Sequence, residues 1–470
     1  MLFSSIIFLF YFLPVVLVLY YGAFWSRRLQ NTLLLLVSLF FYAWGEPKYV
    51  FLMIGSIVFN YVMGMLIHRY QKGFLLVITI AGNLGVLFVF KYLSFFVRNL
   101  NEATAYRYQI TVPNIVLPIG ISFFTFQAMS YVIDVYRKHV KVQKNPFYLG
   151  LYVSFFPQLI AGPIVRYATI EEQIMNRKET WQKFSAGSCR FIMGLSKKIL
   201  ISNNLAVIAD RIFSMQGQHN IPVSLAWLGA IAYTLQIYYD FSGYSDMAIG
   251  LGLMFGFKFE ENFNYPYISQ SIGEFWRRWH ISLGTWFKEY VYFPLGGSRV
   301  ENKDKMVRNM LVVWALTGIW HGAEWNFIFW GLFNFVFIML ERLFDFERSA
   351  VPAAIKHLYC MLLVTLGWVL FRSTDLVQAG RYIANMFGFG KAGFSSHYTW
   401  MFIRENIVFL LAGIIFSMPI ARKTNAYIYK QKSRYQVLEV CYPFLVIALF
   451  VISISYLVKG TYNPFIYFNF

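Results

Sequence analysis

Two ionisable side chains, His321 and Glu324, interrupt an otherwise apolar stretch that covers residues 310–340. An ionisable group at membrane depth costs roughly 2.5–3.5 kcal/mol, so few persist there without a use or a partner. Because the unperturbed pKa of imidazole is about 6.5, His321 is suited to take a proton from a hydroxyl group at neutral pH. The residue types alone leave a second hypothesis equally open, in which His321 is only hydrogen-bonded to a backbone carbonyl.

The same stretch is longer than the roughly 20 residues that one membrane span requires. Gly318 and Gly322 flank His321 and allow the backbone to bend there or to approach another segment closely. We therefore predict one helix, a break that carries His321, and a second helix.

A second histidine, His280, lies in a tryptophan-rich segment, residues 273–290. As one helix with about 3.6 residues per turn, the segment has an apolar face with Trp276, Trp279, Leu283, Phe287 and Tyr290 and a charged face with Glu274, Arg277, Arg278 and Lys288. This pattern predicts an amphipathic helix at a membrane interface. His280 is expected to point into the protein, although the residues alone favour an interfacial anchor with an incidental histidine.

The segment 238–247, which contains Asp240 and Tyr244, is unusually polar for its apolar surroundings. Such side chains can line a wet cavity or hold helices together, and we favour packing with contact to a cavity. Motifs for a phosphate-binding loop, a serine nucleophile elbow and a His-Glu-x-x-His zinc helix are absent from the sequence. The three cysteines show no metal-ligand spacing, so no metal site is expected.

Charged residues make up 13% of the 470-residue chain and apolar residues 58%, whereas a soluble domain is roughly 25% charged. A soluble protein could not hide this much apolar surface, so the composition indicates an integral membrane protein. The net charge of +19 comes from basic residues in short gaps between apolar runs, a pattern typical of cytoplasmic loops near anionic lipid. We therefore expect the lipid bilayer, and no nucleic acid, as a partner.

The hydropathy pattern predicts an all-α, polytopic membrane helix bundle with about eleven spans. These lie near the N-terminus and at 31–45, 49–67, 74–97, 115–136, 187–213, 223–256, 309–340, 355–371, 404–419 and 437–458. Pro157, Gly162 and Pro163 interrupt residues 147–165, which favours a re-entrant or kinked segment. We divide the chain into N-terminal transmembrane helices (1–145), an irregular core with re-entrant and interfacial helices (146–345) and C-terminal transmembrane helices (346–470).

Several motifs follow one another along nearly the whole chain. They are Met1-Leu-Phe-Ser-Ser, Leu117-Pro-Ile-Gly-Ile-Ser-Phe-Phe-Thr-Phe-Gln127, Phe156-Pro-Gln-Leu-Ile-Ala-Gly-Pro-Ile164, Asp240-Phe-Ser-Gly-Tyr-Ser-Asp246, Asn262-Phe-Asn-Tyr-Pro-Tyr267, Phe275-Trp-Arg-Arg-Trp-His280, Pro294-Leu-Gly-Gly297 and Trp320-His-Gly-Ala323. In this order they resemble the membrane-bound O-acyltransferase (MBOAT) family, and within it the bacterial alginate O-acetyltransferase (AlgI-like) branch. The Pro-Leu-Gly-Gly motif favours that branch over the similar D-alanyl-transferring teichoic acid branch.

The resemblance implies a transmembrane tunnel with two histidines near its waist. His321 matches the family's Trp-His-Gly motif and is implied to be the essential catalytic residue, while His280 matches its Arg-Trp-His motif as a second catalytic residue. The residues assigned to the acyl donor or to the tunnel are Trp276, Arg277, Arg278, Trp320, Asp240 and Tyr244. Arg277 and Arg278 are candidates for the donor's phosphates, and lipid phosphates suit them equally well.

The resemblance also implies a multi-pass O-acyltransferase of the bacterial cytoplasmic (inner) membrane without a bound cofactor. Its acyl group, expected to be acetyl, comes from acetyl-CoA or from an acyl carrier protein with its phosphopantetheine thioester. An extracytoplasmic SGNH-type acetyltransferase then passes the group to an exported or cell-wall polysaccharide similar to alginate. Peptidoglycan O-acetylation and D-alanyl transfer toward teichoic acid are alternatives. A proton-coupled transporter with a histidine relay is an alternative of another class, although the sequence shows no duplicated halves.

Overall fold

A computed structural model describes residues 1–105, 107, 109–160, 162–218, 220–298, 303–429, 432–460 and 462–466. Over these residues the protein is built of helices and contains no strand, so the predicted all-α architecture is confirmed. The earlier helices are α1 (Leu13–Gly22), α2 (Arg27–Gly45), α3 (Tyr49–Tyr70), α4 (Gly73–Leu87), α5 (Leu93–Ala103), α6 (Ile121–Tyr136), α7 (Pro146–Ser154), α8 (Phe156–Leu159), α9 (Tyr167–Asn176) and α10 (Trp181–Ser196). The later helices are α11 (Asn203–Gln218), α12 (Val223–Met254), α13 (Ile272–Arg278), α14 (Ile281–Phe287), α15 (Lys303–His321), α16 (Trp325–Leu343), α17 (Ala353–Arg372), α18 (Leu376–Met386), α19 (His397–Phe416), α20 (Ile420–Tyr429) and α21 (Lys432–Lys459).

Among the described helical segments, seven are long and apolar enough to cross a membrane. They are Tyr49–Tyr70, Gly73–Ala103, Trp181–Gln216, Trp325–Leu343, Ala353–Arg372, His397–Phe416 and Glu439–Lys459. Only 17% of the apolar window in Gly73–Ala103 and 11% of that in Glu439–Lys459 is buried. Apolar side chains that face outward in this number are expected where lipid replaces water, and the protein is a multi-pass membrane protein. The other predicted spans are helical as well, as α1, α2, α6, α12 and α15.

The chain forms two compact units. Unit 1 comprises Met1–Phe191 and Met247–Glu260, and unit 2 comprises Ile192–Asp246 and Glu261–Phe470. Both histidines of interest belong to unit 2. The division at 145 and 345 stays a prediction.

In unit 1, the segment predicted to be interrupted holds the two short helices α7 and α8. Pro146 occupies the first turn of α7, where its missing N–H is no loss, and the Asn145 side chain accepts a hydrogen bond from the backbone N–H of Phe147. Phe155 then leaves the helical conformation with φ −54° and ψ 111°, which separates α7 from α8. The interruption between α7 and α8 therefore lies at the non-helical backbone of Phe155.

In unit 2, the single amphipathic helix predicted for residues 273–290 is wrong. The segment breaks at His280, whose φ of 47° and ψ of 51° lie in the left-handed region, so that α13 ends at Arg278 and α14 begins at Ile281. The preceding non-helical segment, residues 262–264, forms backbone hydrogen bonds at the break: the Asn264 N–H donates to the Arg278 carbonyl, and the Ile281 N–H donates to the Asn262 carbonyl. These long-range bonds offset the strain of a left-handed non-glycine residue.

The start of α13 is fixed by two acceptors. The Ser271 side chain accepts from the backbone N–H of Glu274, which caps the helix. The carboxylate of Glu341 in α16 accepts from the backbone N–H groups of Ile272 at 2.6 Å and Gly273 at 3.0 Å. A carboxylate at a helix N-terminus is favourable, so α13 is held firmly against α16.

Candidate active site

His321 is the last residue of α15, and Trp325 begins α16 after a break of three residues, 322–324. The predicted order of helix, break at the histidine and second helix is therefore confirmed. The two helices approach closely because glycines face them: a Cβ atom on Gly318 would lie 2.5 Å from the Phe327 carbonyl oxygen, and one on Gly331 would lie 2.4 Å from that of Trp314. No larger residue fits either position without moving the helices apart.

The imidazole of His321 lies in an aromatic cage and is only 3% exposed. Its ring centroid is 4.9 Å from that of Trp330, 5.0 Å from that of Trp320 and 5.3 Å from that of Phe371, each ring meeting it edge to face. Trp320 adjoins it in α15, Trp330 comes from α16 and Phe371 from α17, so three helices fix the orientation of the imidazole.

His280 is also buried and lies near Trp320. Its ring centroid lies 6.1 Å from that of Trp320 and 4.6 Å from that of Phe241 in α12. Trp320 thus contacts both imidazoles, and the structure brings together the two histidines that the sequence singles out. Their catalytic roles remain predictions.

Trp276 packs against side chains of α15 and α16. Its indole N–H donates to the Asn334 side-chain oxygen at 2.8 Å, and its ring packs against Trp314 and Trp330 at 5.2 and 5.3 Å. Because Trp330 in turn contacts His321, Trp276 supports the wall of the aromatic cage. A contact between Trp276 and the acyl donor stays a prediction.

Arg277 and Arg278 lie on the rim of an open, polar groove of about 430 Å³. Arg277 forms an ion pair with Glu347 at 2.7 Å, and Arg278 forms one with Glu274 at 2.8 Å. The hydrogen bond from Arg277 holds the pKa of Glu347 below its usual range. Both guanidinium groups therefore already face carboxylates, and a phosphate would have to compete with them.

Asp240 and Tyr244, on α12, hold the C-terminal segment, residues 462–466. Asp240 is fully buried, lies 2.5 Å from the ammonium group of Lys198, and accepts from the Ile466 backbone N–H at 2.8 Å. The ring of Tyr244 lies against that of Phe465, with centroids 4.8 Å apart. The packing predicted for this polar stretch is present, and a role for either residue in the tunnel stays a prediction.

Two neighbours of the histidines were not singled out from the sequence. Phe241 contacts the His280 ring, and the Asn262 side-chain oxygen lies 3.2 Å from its Nδ1 atom. Asn262 stands 18 positions from His280 along the chain, so no local periodicity links them. The only available signal was the position of Asn262 within an ordered motif.

Comparison with known proteins identifies relatives over the full chain. The model of the membrane-bound O-acyltransferase family matches residues 70–374. A probable alginate O-acetylase of Pseudomonas putida is 40% identical over the whole of both chains, and that of Pseudomonas aeruginosa is 45% identical over 83% of this chain and 75% of its own. A peptidoglycan O-acetyltransferase of Helicobacter pylori is 37% identical over 83% of this chain and 80% of its own.

Proposed function

This chain belongs to the membrane-bound O-acyltransferase family, and we propose that it transfers an acetyl group for the O-acetylation of an exported or cell-wall polysaccharide similar to alginate. The observation that carries the proposal is the pair of buried imidazoles, His280 and His321, both of which lie against Trp320. The names of the relatives, two of them probable alginate O-acetylases, support acetyl as the group and a polysaccharide as the final acceptor.

In the proposed reaction, His321 is the general base. It takes the proton of an acceptor hydroxyl while the hydroxyl oxygen attacks the carbonyl carbon of an acyl thioester. The C–S bond then breaks, the acyl C–O bond remains, and the leaving thiolate receives the proton from the imidazolium. His280 either positions the thioester or stabilises the developing oxyanion.

The proposal also assigns an acyl donor, a partner protein and a cellular membrane. We infer acetyl-CoA or an acyl carrier protein as the cytoplasmic donor, with Arg277 and Arg278 as candidates for its phosphates once Glu347 and Glu274 are displaced. An extracytoplasmic SGNH-type acetyltransferase is the proposed recipient that acylates the polysaccharide. The proposed location is the bacterial cytoplasmic membrane.

Two other acceptors fit the same machinery. Peptidoglycan O-acetylation is favoured by the Helicobacter pylori relative, and D-alanyl transfer toward teichoic acid would use the same base. Mass spectrometry of the isolated polymers distinguishes these alternatives. Acetyl and D-alanyl groups add different masses, and the polymer that carries the added mass is the acceptor. Family membership disfavours the transporter alternative, since an acyltransferase needs no ion gradient for turnover.

The proposal is tested by His321→Ala. We expect the variant to insert and fold but to abolish acylation of the polymer, because it lacks the imidazole that takes the hydroxyl proton. The measurement is NMR of the secreted and wall polysaccharides, which also identifies the acceptor. The matched control is His68→Ala, whose side chain is exposed near the end of α3 and should leave acylation unchanged. Acylation at the wild-type level in the His321→Ala strain would refute the assignment.

A further inference from the structure

The side-chain oxygen of Asn262 faces three groups around the break between α13 and α14. It lies 3.1 Å from the backbone nitrogen of Ser282, 2.9 Å from the Ser282 hydroxyl and 3.2 Å from Nδ1 of His280. Asn262 is 1% exposed and His280 2%. Water therefore does not compete for these contacts.

The backbone of Ser282 decides which atom of the Asn262 amide is the oxygen. A backbone N–H can only donate, so the amide atom that faces it must accept. The His280 Nδ1 atom meets this same acceptor, so it must carry the proton that it donates. A neutral imidazole has one N–H and one bare nitrogen, which leaves Nε2 of His280 without a proton.

We propose that Asn262 is a positioning residue that holds His280 in the Nδ1–H tautomer and so presents its Nε2 atom to the acyl-transfer substrates as a hydrogen-bond acceptor. This inference rests on the proposed function, because it assigns His280 a task at that site. It concerns the direction of one hydrogen bond and adds no covalent step to the reaction.

Three further observations support this arrangement. The Nε2 atom of His280 is buried and has no hydrogen-bond partner among the described residues, although a buried polar atom is normally satisfied. The rings of Phe241 and Trp320 both pack near the imidazole and restrict its rotation. Burial also lowers the pKa of His280 to about 3, so the ring is neutral at physiological pH.

The tautomer decides between the two roles proposed above for His280. An oxyanion is stabilised by a donor, and the Nε2 atom of the Nδ1–H tautomer has no proton to donate. His280 therefore accepts from an N–H or O–H group of a substrate. The amide N–H groups of a phosphopantetheine arm have the required chemistry, whereas the single proton of the acceptor hydroxyl goes to His321.

The direct test is solid-state NMR of the full chain, labelled with ¹⁵N-histidine and reconstituted in lipid bilayers at neutral pH. The chain has seven histidines, and the signals missing from the His280→Ala variant assign this ring. We expect a protonated Nδ1 and a bare Nε2. A proton on Nε2, alone or together with one on Nδ1, would overturn the proposal.

Two variants separate positioning from a merely structural role. Asn262→Leu keeps the approximate size but removes the acceptor. We expect it to lose the Nδ1–H signal and to lower polymer acetylation by about 10- to 100-fold, by analogy with the loss of a partner that orients a metal-bound histidine. Ser282→Ala keeps the Asn262 oxygen as the acceptor for Nδ1, so this variant should retain both the Nδ1–H signal and polymer acetylation. Should Asn262→Leu fail to insert, the NMR result on the wild-type chain decides alone.

The outcomes also distinguish this inference from the proposed function. Unchanged acetylation in His280→Ala would refute the functional role of His280, whatever its tautomer. A strong loss in His280→Ala together with a proton on Nε2 would refute only the role of Asn262. If Asn262→Leu folds and keeps the Nδ1–H signal, Asn262 does not set the tautomer.

Discussion

A buried imidazole can serve acyl transfer only if its ring is held still and one nitrogen stays available. Trp320 contributes to the first condition for both histidines, since it adjoins His321 in α15 and contacts the His280 ring. The two rings differ in their remaining contacts. His321 is surrounded by Trp330 and Phe371, whereas His280 is hydrogen-bonded through Nδ1 to Asn262. Two residues of the same type are therefore suited to different tasks.

His280→Ala should lower acetylation strongly without abolishing it, by about 100-fold, the lower end of the contribution of a positioned acid–base or hydrogen-bonding group. The physical reason is that His321 remains as the base while the substrate loses an acceptor. Ester-bound acetate on the secreted polysaccharide is the measurement, with His357→Ala as control. His357 is hydrogen-bonded to the Ser269 carbonyl and contacts neither histidine. Equal losses in His280→Ala and His321→Ala would contradict different roles for the two residues.

The elements that carry the histidines were predictable to different degrees. The break at His321 follows from Gly318 and Gly322, whose lack of a side chain allows the close approach of α15 and α16. The break at His280 has no such local signal, because neither glycine nor proline adjoins the histidine and the helical periodicity continues through it. Its cause lies in hydrogen bonds from residues 262–264, which only the folded chain reveals.

Gly331→Ala tests the contact between α15 and α16. A Cβ atom there would lie 2.4 Å from the Trp314 carbonyl oxygen, so the helices must separate, at a cost of about 1–3 kcal/mol for overpacking. We expect a lower thermal unfolding midpoint in detergent and reduced acetylation, because Trp330 follows the helix away from His321.

The control for this change is Gly380→Ala in α18, where nothing lies within 4 Å of the added Cβ atom. The same substitution there should stabilise the helix by up to about 1 kcal/mol, since alanine has the higher helix propensity. Similar unfolding midpoints for the two variants would show that α15 and α16 tolerate a wider spacing.

At the scale of the whole molecule, composition and apolar runs were sufficient to predict a helical protein that crosses the membrane many times. They were not sufficient to predict what the chain does with its C-terminal residues. Ile466 donates to Asp240 across 226 positions of the sequence, and no pattern within either segment indicates the other. Lys198 belongs to the same contact, because it pairs with Asp240 and also donates to the Pro464 carbonyl.

The buried pair of Lys198 and Asp240 should respond differently to single and double substitution. Asp240→Leu alone leaves an ammonium group buried without its carboxylate, which costs about 3–5 kcal/mol. Replacing both residues, with Asp240→Leu and Lys198→Met, removes both charges and should recover most of that loss. Thermal unfolding in detergent gives the stabilities, and hydrogen–deuterium exchange reports whether residues 462–466 remain docked. We expect faster exchange there in both variants, because both lack the carboxylate that accepts from Ile466. A single variant as stable as the wild type, or a double variant no better than the single one, would mean that the ion pair does not anchor this segment.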